Sequence, residues 1–225
     1  MPLLSVIVPV YNEAKTVRQI LDKINSIAID KEIIVVDDGS FDGTGALLRD
    51  IRLDNLKIIH HGTNRGKGSA VLTGLANAVG DYVIIQDADL EYDPNDYLKL
   101  IECMKKNYAD LVLGARFMKG YKGLLVHKLG NRLLTIFMNF LFQLKLNDCF
   151  TGYKLLRRQA INILGLRSCG FDIEIEIIAK AVNNKLRIAQ EYVSYHPRSY
   201  SEGKKIRCKD GLMAAISILK YRCMR

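Results

Sequence analysis

Apolar, β-branched runs alternate with amphipathic stretches along the N-terminal half, and this alternation restricts the fold more than any other feature. The runs are residues 4–10, 32–36, 56–60 and 81–86. Near-continuous apolar runs of this length are typical of parallel strands that are buried on both faces. Because helical patterns separate them, they should form βαβ units with right-handed crossovers. The sequence therefore predicts an α/β fold with a mostly parallel central sheet flanked by helices.

Three acidic residues directly follow the fourth run. They are Asp87, Asp89 and Glu91. Alternate residues of a strand point the same way, so these carboxylates should lie on one side and repel one another unless a cation lies between them. Mg²⁺ and Mn²⁺ prefer such oxygen ligands and also bind substrate phosphates. The alternative is the start of a helix, which explains Asp93 and Pro94 but not Asp87 and Asp89.

Other polar residues fall where ligands bind in open α/β sheets, outside the carboxyl ends of the strands. Pro9, Asp38 and Asp87 all lie at such ends. A glycine-rich loop at residues 64–68 precedes a predicted helix at residues 69–78. Its glycines would allow close backbone approach, and the helix N-terminus favours an anion. The loop lacks the P-loop and dinucleotide patterns, so a phosphate contact and a plain turn both remain possible.

Several blocks resemble the signatures of family 2 glycosyltransferases, which have the GT-A fold. The N-terminal blocks are residues 6–13, 34–40, 64–68 and 87–89. The downstream half is similar to the polyprenyl-phosphate branch typified by dolichyl-phosphate mannose synthase. Its blocks are residues 114–117, 151–158, 195–198 and 202–206. The resemblance extends over residues 4–221 and implies sugar transfer.

The resemblance also implies roles for individual residues. Those matching nucleotide-sugar-binding positions are Pro9, Tyr11, Glu13, Val36, Asp38, Lys67, Asp87 and Ala88. Those matching metal-binding positions are Asp89 and Glu91, the latter where relatives often carry Gln. Those matching phosphate- and acceptor-binding positions are Arg116, Arg198 and Lys205. Asp89, Arg116 and Arg198 are therefore the expected catalytic residues, and Mg²⁺ or Mn²⁺ is the expected cofactor.

The implied reaction is inverting, metal-dependent transfer of mannose or glucose from GDP-mannose or UDP-glucose to a dolichyl or undecaprenyl phosphate. A lipid phosphate is already an anionic nucleophile, whereas a sugar hydroxyl would need a general base. Asp148 could be that base, or it could organise the loop at residues 151–153. Transfer to a sugar hydroxyl is thus one alternative. Another is a non-catalytic nucleotide-sugar-binding membrane scaffold, which need not retain both the acidic and the arginine residues.

A chain of 225 residues with 49% hydrophobic content can bury a full core. We expect a single domain, with residues 1–115 as the nucleotide-sugar-binding half and residues 116–225 as the acceptor half. In the acceptor half, Asp172, Glu174 and Glu176 alternate with apolar residues. This pattern predicts a segment with one solvated face, which either is structural or supports the residues that bind the substrate.

The net charge of +9 is concentrated towards the C-terminus. Because no nucleic-acid-binding motif is present, an anionic membrane surface explains this charge better than nucleic acid. Residues 123–146 and 210–221 are amphipathic, with too many polar residues for a spanning helix, so they face either the core or a bilayer interface. We expect a peripheral protein on the cytoplasmic membrane face, with a membrane-protein partner possible. The five cysteines form no CxxC pair, which is typical of free thiols in the cytosol.

Overall fold

The computed structural model describes residues 1–116, 125–198 and 208–223, without the side chains of residues 125–127 and 208–210. The strands are β1 (Leu4–Val10), β2 (Lys31–Asp37), β3 (Leu56–His60), β4 (Tyr82–Ile85), β5 (Leu111–Ala115), β6 (Lys154–Arg157) and β7 (Ile188–Tyr192). The helices are α1 (Val17–Ser26), α2 (Thr44–Asp50), α3 (Lys67–Asn77), α4 (Tyr97–Lys106), α5 (Leu125–Phe142), α6 (Arg158–Leu164), α7 (Ile173–Asn183) and α8 (Cys208–Cys223). A 3-10 turn at Pro94–Asp96 precedes α4.

The strands form one seven-stranded sheet in the order β3-β2-β1-β4-β6-β5-β7. Neighbouring strands are parallel except where β6 pairs with β4 and with β5. The prediction of a mostly parallel sheet flanked by helices is therefore confirmed.

The sheet is covered on both faces, which explains the near-continuous apolar runs. Along β1, Val6 and Val8 belong to a core shared with α1 and α4. The intervening Ile7 belongs to the opposite core, shared with α3, α7 and α8. In α1, the apolar residues at helical spacing are all buried, as the amphipathic pattern predicted; they are Val17, Ile20, Leu21 and Ile24.

The acidic segment in the acceptor half differs from its prediction. The stretch with alternating apolar residues forms the start of α7, and its acidic side chains at Glu174 and Glu176 do not lie on a solvated face. Glu176 is buried, and the side chain of Glu174 is only 17% exposed. Five residues of alternating polarity are too few to distinguish a strand from a helix, and the apolar residues that follow continue the helix to Asn183.

Strand β6 brings a further loop to the functional edge of the sheet. Because β6 runs opposite to its neighbours, its first residue, Lys154, pairs with Ile85 near the end of β4 and with Leu113 of β5. The loop that precedes Lys154 therefore lies beside the chain that leaves β4. Among the described residues, no helix combines the length and the apolarity that crossing a bilayer would require.

Candidate active site

The acidic residues after β4 pair with two different cations. The strand ends at Ile85, and the chain then turns, with Leu90 at a φ of 64°. As a result, Asp87 faces Lys67, whereas Asp89 and Glu91 face Arg198. Strand periodicity therefore does not continue through the turn, but the three carboxylates stay close enough for Asp87 and Glu91 to act electrostatically on Asp89, as the sequence predicted.

Asp87 belongs to a partly buried cluster of alternating charges. The Lys67 ammonium lies 2.7 Å from Asp87 Oδ1 and 2.8 Å from Glu174 Oε1. The ammonium of Lys154, which is fully buried, lies 3.5 Å from Glu174 Oε2 and donates to the Thr151 carbonyl. Burial would lower the pKa of Lys67, but the two carboxylates outweigh that effect and raise it above the ordinary value. Lys67 is therefore a fixed cation at the start of α3.

Arg198 connects the region after β7 to the acidic turn. Its Nη2 lies 2.8 Å from Asp89 Oδ2, and its backbone N–H donates to Glu91 Oε1 at 2.9 Å. Its Nη1 lies 3.5 Å from Glu13 Oε2. Arg198 thus contacts three carboxylates, from the loop after β1 and the turn after β4. The sequence predicted these residues for one site, and the structure places them together.

The charge around Asp89 fits a divalent cation. Burial, together with the negative charges of Asp87 and Glu91, raises the pKa of Asp89 to about 7, although Arg198 acts in the opposite direction. Mg²⁺ and Mn²⁺ prefer oxygen ligands such as these neighbouring carboxylates. Within the described part of the chain, however, no three His, Cys, Asp or Glu side chains are arranged to hold a metal ion. Asp89 and Glu91 would supply part of a coordination shell, with the rest from substrate phosphate or water.

Asp38 is committed to contacts within the protein. Its carboxylate accepts hydrogen bonds from the backbone N–H groups of Arg65 and Gly66, at 3.0 and 2.8 Å, and lies 2.6 Å from His61 Nδ1. Asp38 therefore shapes the glycine-rich loop, a role that the sequence did not indicate. Its contact with a nucleotide base stays a prediction.

The other residues predicted to bind nucleotide line the same edge of the sheet. Pro9 and Val36 are register partners on β1 and β2, and Ala88 is buried in the turn after β4. The Tyr11 ring lies in the loop after β1, with its centroid 6.1 Å from that of Phe41. The sequence did not single out Phe41.

Arg116 is paired with Asp148. The Arg116 side chain is 9% exposed, and that of Asp148 is fully buried. Two side-chain hydrogen bonds join them, and the backbone N–H of Arg116 also donates to Asp148 Oδ2 at 3.1 Å. The guanidinium carbon of Arg116 lies 5.3 Å from the centre of the Tyr195 ring. The predicted phosphate-binding residue Lys205 lies outside the described residues.

The sequence missed the residues that connect these groups. Tyr195 donates to Glu91 Oε2 at 2.6 Å, and Glu174 and Lys154 complete the cluster around Lys67. Tyr195 and Lys154 lie within the blocks at residues 195–198 and 151–158, so their positions were indicated. Their burial was not indicated, because it depends on contacts between residues distant in sequence.

Comparison with known proteins identifies the family. The family model described as glycosyl transferase family 2 matches residues 5–164. A polyprenol monophosphomannose synthase from Mycolicibacterium smegmatis is 28% identical over 215 residues, covering 88% of this chain and 79% of that protein. A dolichol-phosphate mannosyltransferase from Pyrococcus furiosus is 31% identical over 192 residues, covering 81% of this chain and 54% of that protein.

A further relative is the low-salt glycan biosynthesis hexosyltransferase Agl6 of Haloferax volcanii, which is 30% identical over 204 residues. That match covers 88% of this chain and 48% of the relative. The chain therefore spans about half the length of the Haloferax and Pyrococcus proteins.

Solved structures share the fold. A glucosyl-3-phosphoglycerate synthase from Mycobacterium tuberculosis, in complex with phosphoglyceric acid, superposes with a TM-score of 0.75 at 21% identity, covering 99% of this chain and 80% of that one. The same enzyme in complex with Mn²⁺, UDP and glucosyl-3-phosphoglycerate gives a TM-score of 0.74 at 23% identity, with the same coverage. The chain thus has the GT-A fold and belongs to glycosyl transferase family 2.

Proposed function

We propose that this protein is a divalent-metal-dependent, inverting glycosyltransferase that transfers a hexose from a nucleotide-sugar to a polyprenyl phosphate. The names of the Mycolicibacterium and Pyrococcus relatives support this acceptor class. The observation that carries the proposal is the burial and pairing of Asp148, which is the candidate base for a hydroxyl acceptor. Its carboxylate is fully buried and is engaged by the Arg116 guanidinium.

Asp148 also accepts hydrogen bonds from the backbone N–H groups of Arg116 and Phe150. Because the carboxylate is buried and its oxygens are occupied by these donors, it is not free to contact the hydroxyl group of a sugar acceptor. These contacts support the loop-organising role of Asp148 over a role as general base. A lipid phosphate needs no base, so the arrangement favours phosphate over a sugar hydroxyl as the nucleophile.

The donor would bind in the half formed by residues 1–115. Asp87 and Lys67 would lie beside its ribose and phosphates, with Pro9 and Val36 near the base. Asp89 and Glu91 would hold the metal ion, which when bound would neutralise the charge that develops on the departing nucleoside diphosphate. The Mg²⁺ and UDP in one Mycobacterium structure support a divalent ion beside a nucleotide in this fold.

The acceptor would bind in the half formed by residues 116–225. Arg116 lies over one side of Tyr195, and Tyr195 donates to Glu91, which also accepts from the backbone of Arg198. Arg198 therefore contacts the proposed metal-binding residues directly, and Arg116 is connected to them through Tyr195. There the two arginines would orient the lipid phosphate, whose oxygen attacks the anomeric carbon of the sugar as the nucleoside diphosphate leaves.

Membrane association is part of the proposal. Helix α5 carries a stripe of exposed apolar side chains at Leu129, Leu133, Ile136 and Phe140, the last 78% exposed. Helix α8 carries a second stripe at Leu212, Met213, Ile216 and Leu219. The two helices pack against each other, with Arg132 and Lys220 near the stripes. We call these two stripes together the α5–α8 face, and their apolar and basic residues have the composition of a surface that lies on an anionic bilayer.

A donor screen tests the function. Purified protein, Mn²⁺ and undecaprenyl or dolichyl phosphate would be incubated with radiolabelled GDP-mannose or UDP-glucose, and label would be followed into the organic phase. We expect transfer with one donor, abolished by chelator and by Arg198→Ala. Transfer of label to a free sugar hydroxyl but not to lipid phosphate would overturn the proposed acceptor. Nucleotide-sugar binding without any transfer would instead support the scaffold alternative.

A further inference from the structure

We propose that Glu174, at the start of α7, is a positioning residue that holds Asp87 in the donor site from two sides. The inference rests on the proposed function. Glu174 belongs to residues 116–225, whereas the residues proposed to bind the donor belong to residues 1–115. Glu174 lies 107 positions from Lys67 in sequence, yet their side chains are 2.8 Å apart. The spacing of these two residues in the sequence therefore does not indicate that they are in contact.

The first connection runs through Lys67. One ammonium group bridges Glu174 Oε1 and Asp87 Oδ1, at 2.8 and 2.7 Å. A lysine side chain has several rotatable bonds, and a single carboxylate contact leaves it able to swing towards solvent or ligand. With Glu174 on the opposite side, Lys67 has two anionic contacts and its position beside Asp87 is set.

The second connection runs through Lys154. Its ammonium lies 3.5 Å from Glu174 Oε2 and also donates to the Thr151 carbonyl, which fixes the turn before β6. The next residue in that turn, Gly152, lies against Asp87 so closely that an added Cβ would be 2.5 Å from Asp87 Oδ2. The two oxygens of Asp87 are thus bounded by Lys67 on one side and by a turn anchored on Lys154 on the other.

Charge balance explains why a carboxylate is needed at this position. Lys67 and Lys154 contribute two positive charges, and Asp87 and Glu174 contribute two negative charges. Lys154 is fully buried, and burial lowers its pKa despite the attraction of Glu174. Without the Glu174 charge, Lys67 would lose one of its two anionic contacts and buried Lys154 would lose the carboxylate that it pairs with, so the geometry around Asp87 would change.

Glu176, two residues along the same helix, provides a matched control. It is also buried, but it accepts hydrogen bonds from the backbone of Arg167 and Ser168 and pairs with Lys180. These partners belong to the loop before α7 and to the helix itself. Glu176→Gln should therefore lower stability without affecting Asp87.

The test measures nucleotide affinity rather than turnover. Binding of GDP and of UDP, each with Mn²⁺, would be measured by calorimetry for the wild type, Glu174→Gln, Glu176→Gln, Lys67→Met and the Lys67→Met/Glu174→Gln double variant. We expect Glu174→Gln to weaken binding of the preferred nucleotide about 10-fold, the scale of one charged hydrogen bond. Glu176→Gln should remain within about twofold of the wild type, and the double variant should lose less than the product of the single losses.

Equal affinities for Glu174→Gln and Glu176→Gln would overturn the inference, as would fully multiplicative losses in the double variant. If Glu174→Gln does not fold, Glu174→Asp keeps the charge but shortens the side chain, and it should weaken nucleotide binding in the same direction. Wild-type affinity in Glu174→Asp would then count against a positioning role. Failure of the wild type to bind either nucleotide would overturn the proposed function, and the inference with it.

Discussion

Two parallel hydrogen bonds join the guanidinium of Arg116 to the carboxylate of Asp148, with Nε–Oδ2 at 2.8 Å and Nη2–Oδ1 at 3.0 Å. This bidentate geometry is the strongest arrangement available to an arginine and a carboxylate. It is formed between the end of β5 and the loop before β6. Arg116 therefore has a fixed orientation over Tyr195, as expected for a residue that receives a phosphate in a defined position.

Replacing Asp148 separates its structural role from a role as base. Asp148→Asn leaves the buried Arg116 charge without its anionic partner, so the free energy of unfolding should fall by about 3 kcal/mol. Urea unfolding would measure this loss, with the exposed Asp54→Asn as the control. A variant of unchanged stability that has lost transfer to a hydroxyl acceptor would instead favour Asp148 as a general base.

Asp89→Asn should abolish Mn²⁺-dependent nucleotide binding without lowering stability. The substitution removes the charge of a proposed metal ligand, and it also removes a charge that burial, Asp87 and Glu91 disfavour in the fold. Calorimetry with and without Mn²⁺ would measure the first effect, and thermal unfolding the second. Full turnover of the wild type in excess chelator would contradict the metal assignment.

Gly152→Ala should weaken donor binding by about 10-fold, because the new Cβ displaces the Asp87 carboxylate. Gly152 does not have a positive φ, so crowding rather than backbone strain causes the effect. Gly62→Ala is the matched control, since an added Cβ there meets no atom within 4 Å. Equal nucleotide affinity in both variants would show that Asp87 tolerates displacement.

Phe140→Ser in α5 should reduce sedimentation with anionic vesicles and leave the unfolding midpoint unchanged, because Phe140 is exposed in the protein. Leu98→Ser removes an exposed apolar side chain from α4, which packs on the other face of the sheet, and it should have no effect on sedimentation. Raising the salt concentration should also weaken binding, since screening reduces the attraction of Lys and Arg to the lipid. Equal loss in both variants would mean that the α5–α8 face is not the membrane surface.

The basic segment near the C-terminus should contribute separately to vesicle binding. Replacing Lys204, Lys205, Arg207 and Lys209 with Gln should weaken vesicle binding, measured without donor because two of these positions are also candidates for ligand phosphates. These side chains lie outside those that the structure describes. Equal, salt-independent partitioning onto neutral and anionic vesicles would leave the apolar stripes as the anchor.

The stability difference between the wild type and Glu174→Gln should depend on pH. Burial opposes ionisation of Glu174, but Lys154 and Lys67 outweigh it and lower its pKa from 4.5 to about 2. A lowered pKa means that the ionised group stabilises the fold above pH 4.5 and that this contribution is lost as the pH falls towards 2. Urea unfolding midpoints of the two proteins, measured at about pH 7, 4 and 3, should therefore converge as the pH falls. A constant difference would contradict the ion-pair assignment.

Much of the donor half could be predicted because its signals are local. The runs at residues 4–10 and 56–60 have the bounds of β1 and β3. The helix predicted at residues 69–78 begins two positions earlier, at Lys67, because Gly66 with a φ of 94° permits an earlier turn into α3. Asp93 and Pro94 begin a helical turn as expected, with Asp93 accepting from the backbone of Asn95.

The acceptor half was less predictable because its arrangement depends on non-local pairing. Alternation of strands and helices implies parallel neighbours, and nothing in the four residues of β6 indicates that this strand is reversed. Likewise, Arg198 meets Asp89 across a sequence separation of 109 residues. The resemblance placed these residues in one site, but their partners, such as Glu174 with Lys67, could be identified only from the structure.

The reversed strand β6 has a consequence for how substrates enter and leave. It hydrogen-bonds to β4 on one side and to β5 on the other, so one continuous backbone ladder joins the donor-side turn to Arg116. The two halves cannot swing apart as hinged lobes without breaking that ladder. In the proposed reaction, the separation between the sugar donor and the incoming phosphate would therefore be set by the sheet, and substrates would exchange by rearrangement of loops and side chains at its edge.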